Sequence, residues 1–277
     1  MSVWYAVLLG LIQGAAEFLP VSSSAHLCLL QNLFPEQTGQ DPVLFDVLLH
    51  LATLAAVCTV YRREMCSLFR ELRRILLRPA GGRRTPDPAA RKLLALLFLG
   101  TLPLLLTLPF REQAERLCCS TPFIGLALLC TGSLLYLGDR LPPGEKRERE
   151  AAPADALAVG FVQALAVLPG LSRSGSTVVA GLARGFRRSF AVQYSFLLSL
   201  PAILGAALLK TAEAVKLGVD LRFLPACLLG MLAALISGFF SIRIVRILSD
   251  RGRFGHFRWY CWGLGLLVLL SGIFLKG

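Results

Sequence analysis

Six stretches of this chain stay apolar over about 20 residues, the length that an α-helix needs to cross the hydrocarbon core of a bilayer. Hydrophobic residues make up 55% of the 277 positions and charged residues only 17%, which leaves too little polar surface for a soluble domain of this size. The sequence therefore predicts an all-α integral membrane protein with six transmembrane helices. The predicted spans are residues 43–61, 91–110, 122–138, 190–211, 222–242 and 257–275.

Two further apolar stretches, residues 3–34 and 155–183, are interrupted near their middle by proline and a cluster of hydroxyl side chains. The first interruption reads Pro20-Val-Ser-Ser-Ser24, and the second reads Pro169-Gly-Leu-Ser-Arg-Ser-Gly-Ser-Thr177. Broken backbone at membrane depth is tolerated only where protein or a water-filled cavity satisfies its polar groups. We interpret both stretches as re-entrant helical hairpins whose tips reach a polar site.

An internal repeat supports this interpretation. Gly10-Leu-Ile-Gln13 is echoed by Gly160-Phe-Val-Gln163, and the proline that follows is Pro20 in one copy and Pro169 in the other. Each half then contains one hairpin and three spans. Because three crossings is an odd number, the second half enters the membrane in the opposite orientation, as in inverted-topology repeats. The sequence predicts a single membrane domain over 1–277, with repeat one over about 1–138, a cytoplasmic linker over about 139–154 and repeat two over about 155–277.

The net charge of +12 would fit a nucleic-acid partner, but the basic residues lie between the apolar runs. When the 62–92 loop is placed in the cytoplasm, 22 of the 29 Lys and Arg residues fall on that side and six on the other, with Arg173 inside the second hairpin. Positive residues concentrate in cytoplasmic loops. We therefore expect both termini outside the cytoplasm, and no nucleic-acid partner.

The eight cysteines include no CxxC pair, and most of them fall inside apolar runs. This pattern favours small buried thiols over disulfides or a metal site.

The first hairpin carries candidate catalytic groups. An ionisable side chain at membrane depth is costly, so Glu17 and His26 are functional candidates by default. Gln13 and Glu17 are four residues apart and share one helical face. A new helix can begin after Pro20 with a serine as its cap, which predicts that Glu17, the serine cluster 22–24 and His26 converge.

The second hairpin has the features of an anion site. Its Gly- and Ser-rich loop leads into a helix N-terminus, where free N–H groups and the helix dipole favour an anion. Arg173 adds a planar guanidinium that matches phosphate oxygens. Together with the first hairpin, this arrangement predicts phosphoryl transfer. Glu17 could hold a divalent cation or manage a proton, and the attacking group could be His26, a serine or water.

These residues resemble two motifs of the bacterial undecaprenyl-pyrophosphate phosphatase family, the BacA/UppP type. Gln13-Gly-Ala-Ala-Glu17 is similar to the motif in which an acidic or amide residue precedes a glutamate by four positions. Pro169 to Thr177 is similar to PGxSRSxxT. The resemblance extends through Phe45-Asp-Val-Leu-Leu-His-Leu-Ala-Thr53 and Tyr194-Ser-Phe-Leu-Leu-Ser-Leu-Pro201, so it covers most of the chain.

The resemblance implies hydrolysis of undecaprenyl pyrophosphate to undecaprenyl phosphate and phosphate. It also implies a bacterial plasma-membrane protein, often a homodimer, whose site opens to the outer face and needs Mg²⁺ or Ca²⁺. It assigns catalytic roles to Glu17, His26, Ser23 and Arg173; phosphate binding to Gly170, Ser172, Arg173, Ser174 and Thr177; and metal binding to Glu17 and Gln13. Gln13 departs from the glutamate that is common there, so one ionisable group is missing.

A transporter or lipid flippase is the main alternative, because inverted repeats with broken helices are typical of secondary transporters. An arginine could bind an anionic headgroup without any chemistry, and fold alone does not decide between the two functions.

Overall fold

The computed structural model describes residues 2–34, 42–77, 87–217 and 224–274. Twelve α-helices account for most of these residues, and the described part contains one isolated bridge between Lys146 and Phe186 but no strand. The helices are α1 Val3–Phe18, α2 Ser23–Leu33, α3 Pro42–Val60, α4 Arg62–Leu76, α5 Pro88–Thr101, α6 Arg111–Arg116, α7 Thr121–Arg140, α8 Pro153–Leu165, α9 Arg173–Ala183, α10 Arg188–Leu217, α11 Leu224–Asp250 and α12 Phe257–Phe274.

Both interrupted stretches break where their prolines predict. Helix α1 has 16 residues and α8 has 13, so each is shorter than a membrane-spanning helix. The returning helices begin with serine caps: Ser22 Oγ accepts from the Ala25 N–H at 3.3 Å, and Ser172 Oγ accepts from the Gly175 N–H at 3.1 Å. Each stretch is therefore a pair of short helices joined at a polar turn.

Four segments of the described chain are long and apolar enough to cross a membrane, namely Pro88–Phe110, Thr121–Arg140, Arg188–Leu209 and Leu224–Asp250. A fifth is obtained when α3 and α4, which meet at a bend of 95°, are taken together; its apolar residues lie in α3, which coincides with the predicted span 43–61. These segments match five of the six predicted spans, and a multi-pass membrane protein is confirmed. The predicted sixth span overlaps α12, which is not among these segments, and it stays a prediction. Three parts of these predictions lie outside the described residues. They are 78–86 in the predicted cytoplasmic loop, 222–223 at the start of the fifth predicted span and 275 at the end of the sixth.

The second span of the first half changes form part-way. Helix α5 continues beyond Thr101 as a 3₁₀ helix over Leu102–Phe110. Pro103 and Pro109 lie in this segment and lack the N–H that an α-helical turn needs, so the backbone tightens there instead of remaining α-helical.

Two close helix crossings hold the short hairpin helices in place. Gly10 on α1 lies directly against the backbone of Gly230 on α11, and a side chain at Gly10 would collide with the Gly230 carbonyl oxygen. In the other half, Gly160 on α8 meets the backbone of Gly100 on α5 in the same way. Small residues let membrane helices approach closely enough for strong van der Waals contact.

Charged side chains anchor the second hairpin at its open end. Asp155, which is fully buried near the start of α8, accepts from Lys146 Nζ at 3.0 Å and from Arg184 Nε at 2.8 Å. Its carboxylate also accepts from the Ala152 N–H at 2.9 Å. The linker, α8 and the end of α9 are therefore joined at one carboxylate.

We expect Gly10→Ala to destabilise the protein, because the added methyl group must displace the backbone of α11. Overpacking of this kind costs about 1–3 kcal/mol. The measurement is the melting temperature of the detergent-purified protein. Gly205→Ala on α10 is the matched control, since no atom lies within 4 Å of a side chain at that position. Equal melting temperatures for the two variants would contradict the close contact.

Candidate active site

The tips of the two hairpins meet inside the protein. The Gly170 N–H donates to Ser24 Oγ at 3.3 Å, so the loop of the second hairpin contacts the start of α2 directly. Thr131 on α7 donates to the Gly170 carbonyl at 3.1 Å and accepts from the Ser172 N–H at 3.0 Å. Gly170 has φ +94°, and a side chain there would strike Ala127. Only glycine fits this turn.

Glu17 is the centre of the contacts between the tips. Its Oε1 pairs with the guanidinium of Arg173, and its Oε2 accepts from Ser23 Oγ at 2.7 Å and from Gln13 Nε2 at 3.0 Å. The imidazole of His50 lies 3.9 Å from the same oxygen. The Glu17 side chain is only 4% exposed, whereas that of Arg173 is 21% exposed. The structure thus brings together Gln13, Glu17, Ser23 and Arg173, all of which the sequence singles out.

His50 was given no role by the sequence analysis. Its Nδ1 donates to the Asp46 carbonyl at 2.7 Å, so its Nε2 is the ring nitrogen that faces Glu17. The sequence does contain a signal for this residue. His50 is an ionisable side chain inside the apolar run 43–61, and such a side chain at membrane depth is a functional candidate for the same reason as Glu17.

His26 lies apart from this centre. Its Nδ1 donates to the Ser22 carbonyl at 2.7 Å, so in the neutral ring Nε2 accepts from the Tyr260 hydroxyl at 2.6 Å. The two rings are nearly parallel, at 8°. Within the described residues no hydrogen bond joins His26 to Glu17 or Arg173. Its catalytic role stays a prediction, and Tyr260 is a partner that the sequence analysis missed.

Two helix N-termini point into the same region. Ser23 and Ser24 open α2, and Arg173 and Ser174 open α9. No described residue accepts a hydrogen bond from the backbone N–H groups of these four residues. Unpaired first-turn amides and the positive ends of two helix dipoles make this region favourable for an anion with several oxygens.

The other hydroxyl groups of the second hairpin are buried and partnered. Ser172 Oγ and Ser174 Oγ are 3.3 Å apart, and both side chains lie at the start of α9. Thr177 lies one turn further along, where its hydroxyl donates to the Arg173 carbonyl at 2.8 Å and contacts Ser195 Oγ at 2.6 Å. Thr177 therefore holds the first turn of α9 in place, and a direct contact of its hydroxyl with phosphate stays a prediction.

One buried oxygen beside Glu17 has no partner. Gln13 is fully buried and donates through Nε2 to Glu17, but its Oε1 accepts no hydrogen bond from any described residue. An unpaired amide oxygen next to a carboxylate matches the hard oxygen donors that Mg²⁺ and Ca²⁺ prefer. The described residues contain no group of three His, Cys, Asp or Glu side chains that could hold a metal. A cation here would need further oxygens from phosphate or water.

The interpretation of the cysteines as small buried thiols was wrong at several positions. Cys28 on α2 and Cys118 form a disulfide, with their Cα atoms 5.5 Å apart, so α2 is tied to the segment that precedes α7. The sequence could not pair them, because 90 positions separate them and neither belongs to a recognisable spacing motif. Among the described free cysteines only Cys227 and Cys261 are buried, whereas Cys66 and Cys130 are exposed.

Comparison with known protein families shows which family this chain belongs to. The family model described as "Bacitracin resistance protein BacA" matches residues 6–267. The chain belongs to the BacA family. The matched region includes the second hairpin, all but the first three residues of the first hairpin, and every described side chain that contacts Glu17, so the resemblance seen in the two motifs is confirmed over nearly the whole chain.

Curated proteins with one shared name align with this chain along nearly their full length. An undecaprenyl-diphosphatase of Carboxydothermus hydrogenoformans is 37% identical over 98% of this chain and 97% of its own length. One of Alkaliphilus metalliredigens is 36% identical over 99% and 100%, and one of Treponema denticola is 38% identical over 98% and 99%.

The pair between Arg173 and Glu17 predicts strong energetic coupling. Removing one partner of a buried ion pair leaves an uncompensated charge and costs about 3–5 kcal/mol, whereas replacing both by apolar residues costs much less. We expect Arg173→Met and Glu17→Leu each to destabilise the protein more than the double variant does. Unfolding of the three variants in detergent measures this coupling. Additive effects would contradict it.

Proposed function

We propose that this chain hydrolyses undecaprenyl pyrophosphate to undecaprenyl phosphate and inorganic phosphate. This reaction recycles the lipid carrier of peptidoglycan synthesis and confers bacitracin resistance. This proposal rests on the arrangement of Arg173, Glu17 and Ser23 where the N-termini of two helices meet. Membership of the BacA family and the name shared by its curated relatives support the same reaction.

The two helix N-termini would bind the pyrophosphate. Arg173 would exchange its contact with Glu17 for a two-point contact with phosphate oxygens, for which its planar guanidinium is suited. The free amides at the start of α2 and α9 would bind the remaining oxygens and stabilise charge in the transition state. The exposed part of the Arg173 side chain, 21%, is consistent with such an exchange.

Ser23 is the hydroxyl best placed to attack phosphorus. It donates to Glu17 Oε2 at 2.7 Å, the geometry of a nucleophile and its general base. The Ser23 oxygen would bond to the terminal phosphorus as its proton passes to Glu17. The bond to the bridging oxygen would break, and undecaprenyl phosphate would leave. Water would then hydrolyse the phosphoserine. His26 is less well placed, because its Nε2 is occupied by Tyr260.

Glu17 and the unpaired Oε1 of Gln13 are the residues that would hold a divalent cation. Such a cation, Mg²⁺ or Ca²⁺, would neutralise phosphate charge when bound. The chain's own residues would still bind the pyrophosphate oxygens and hold the Ser23 proton.

For the fold, we propose six spans and two re-entrant hairpins related by an inverted repeat. The glycine contacts support it, because Gly10 and Gly160 are repeat equivalents and each packs on the second span of the other half. Sites at the interface between inverted repeats lie near the bilayer midplane. Dimerisation, which the family resemblance implies, stays a prediction.

The site would face the outer side of the bacterial plasma membrane. The distribution of basic residues supports this orientation. The disulfide between Cys28 and Cys118 supports it independently, since disulfides persist on the oxidising side of a plasma membrane and are rare in the cytosol. Cys28 lies two residues after His26 on α2, the helix that runs from the tip of the first hairpin to its open end. That open end would therefore share the outer side.

Orientation is testable with an impermeant thiol reagent. On a background that keeps only Cys28 and Cys118, we expect Gln113→Cys on α6 to be labelled in intact cells and Glu145→Cys in the linker to be labelled only after lysis. Both positions are exposed, so accessibility within the protein is matched. The reverse pattern would overturn the proposed orientation.

Activity is testable with detergent-purified protein and undecaprenyl pyrophosphate. We expect cation-dependent phosphate release that Glu17→Gln abolishes. Arg173→Lys should reduce turnover about a hundredfold, since charge is kept but the two-point contact is lost. Glu145→Gln and Arg187→Lys, both on exposed cytoplasmic residues, are the controls and should keep parental turnover.

This experiment also separates hydrolysis from transport, because no gradient exists in detergent. A protein that binds the lipid but releases no phosphate would favour the transporter alternative. Full activity of Arg173→Lys would show that a positive charge suffices there.

A further inference from the structure

Helix α4 differs in composition from the helices around it. Its 15 residues include five arginines and two glutamates, yet its remaining positions are mainly apolar. The helix follows α3 directly after Tyr61 and is bent by 95° from it. With α3 as the span, a bend of 95° would turn the charged α4 roughly into the membrane plane, and its place on the cytoplasmic side rests on the orientation proposed above.

One side of α4 is buried in the protein. Leu68 is 5% exposed and Glu71 is 3% exposed, and Glu71 pairs with Arg74 at 3.0 Å. Glu64, on the same side, accepts from Gln193 on α10 at 3.5 Å. Both acidic residues of the helix are therefore engaged within the protein.

A second side of α4 presents large apolar side chains that the described protein leaves uncovered. Phe69, Leu72 and Leu76 are spaced at i, i+3 and i+7 and so share one face. They are 66%, 41% and 71% exposed. An exposed apolar row of this length on a helix is typical of a surface that binds a partner or a bilayer.

Arginines border this apolar row on one side. Arg62 and Arg73 lie beside Phe69 on the helical wheel, and Arg63 lies further round. All three are exposed and form no salt bridge with a described residue. A helix with an apolar face bordered on one side by cations that form no salt bridge is complementary to a bilayer surface with negative headgroups.

We propose that α4 is an interfacial helix that binds anionic phospholipid headgroups of the cytoplasmic leaflet. Phe69, Leu72 and Leu76 enter the acyl boundary, while Arg62, Arg63 and Arg73 bind the phosphates. This site is separate from the hairpin tips and does not depend on phosphatase activity.

Cys66 provides a reporter, because it is an exposed residue on the polar side of α4. A fluorophore is attached there in the full-length chain after the other free cysteines have been replaced, and the protein is placed in phosphatidylcholine nanodiscs. Quenching by trace phosphatidylglycerol spin-labelled near the top of its acyl chain is compared with quenching by phosphatidylcholine that carries the same label. We expect phosphatidylglycerol to be favoured by roughly fivefold or more at low salt, and less at high salt.

Two charge variants decide what recognises the lipid. Replacement of Arg62, Arg63 and Arg73 by glutamine should reduce the preference to about one, whereas replacement of all three by lysine should keep it because charge is retained. The matched control, Arg149→Gln with Arg251→Gln and Arg253→Gln, removes the same charge from other exposed cytoplasmic positions and should leave the preference unchanged.

Other outcomes overturn the proposal. Equal quenching by both lipids in the parent protein would show an interfacial helix with no headgroup recognition. No quenching by either lipid would show that another occupant, such as a second copy of the chain, covers the apolar row. A control variant that loses the preference as fully as the α4 variant would assign the effect to net charge alone.

Discussion

The ion pair between Arg173 and Glu17 joins two hairpins that come from opposite halves of the chain. A charge buried in a membrane protein is tolerated only with a partner and with hydrogen bonds to its remaining lone pairs. Ser23 and Gln13 supply those bonds to Glu17. The position of each hairpin tip is consequently tied to that of the other, and the two helix N-termini are held where one anion can contact both.

Under the proposed function, the same pair would keep a buried site ready for a charged substrate. Without substrate, Arg173 has a carboxylate partner, so its charge is compensated. A pyrophosphate brings its own negative charge and can replace that carboxylate at the guanidinium. In the proposed reaction Glu17 would then act on Ser23, which already donates to its other oxygen. Binding of the anion and activation of the hydroxyl would thus be linked through one residue.

Close backbone contact makes this arrangement possible in such short helices. Helices α1 and α8 cannot cross a bilayer alone, so they depend on neighbours along their length. Gly10 against Gly230 and Gly160 against Gly100 bring each hairpin into backbone contact with a longer helix. The disulfide from Cys28 to Cys118 adds a covalent link on the returning helix of the first hairpin.

The sequence by itself determined the apolar spans, the two broken stretches and the candidate site residues Glu17, Ser23 and Arg173. These features depend on composition, on proline and on the cost of an isolated charge in an apolar run, all of which are local properties. The tertiary structure alone decided which groups meet. It placed His50 rather than His26 beside Glu17, paired His26 with Tyr260, and joined Cys28 to Cys118. Such pairings depend on how helices that are far apart in the chain are rotated and aligned against each other, and helical periodicity within one segment carries no information about the rotation of another.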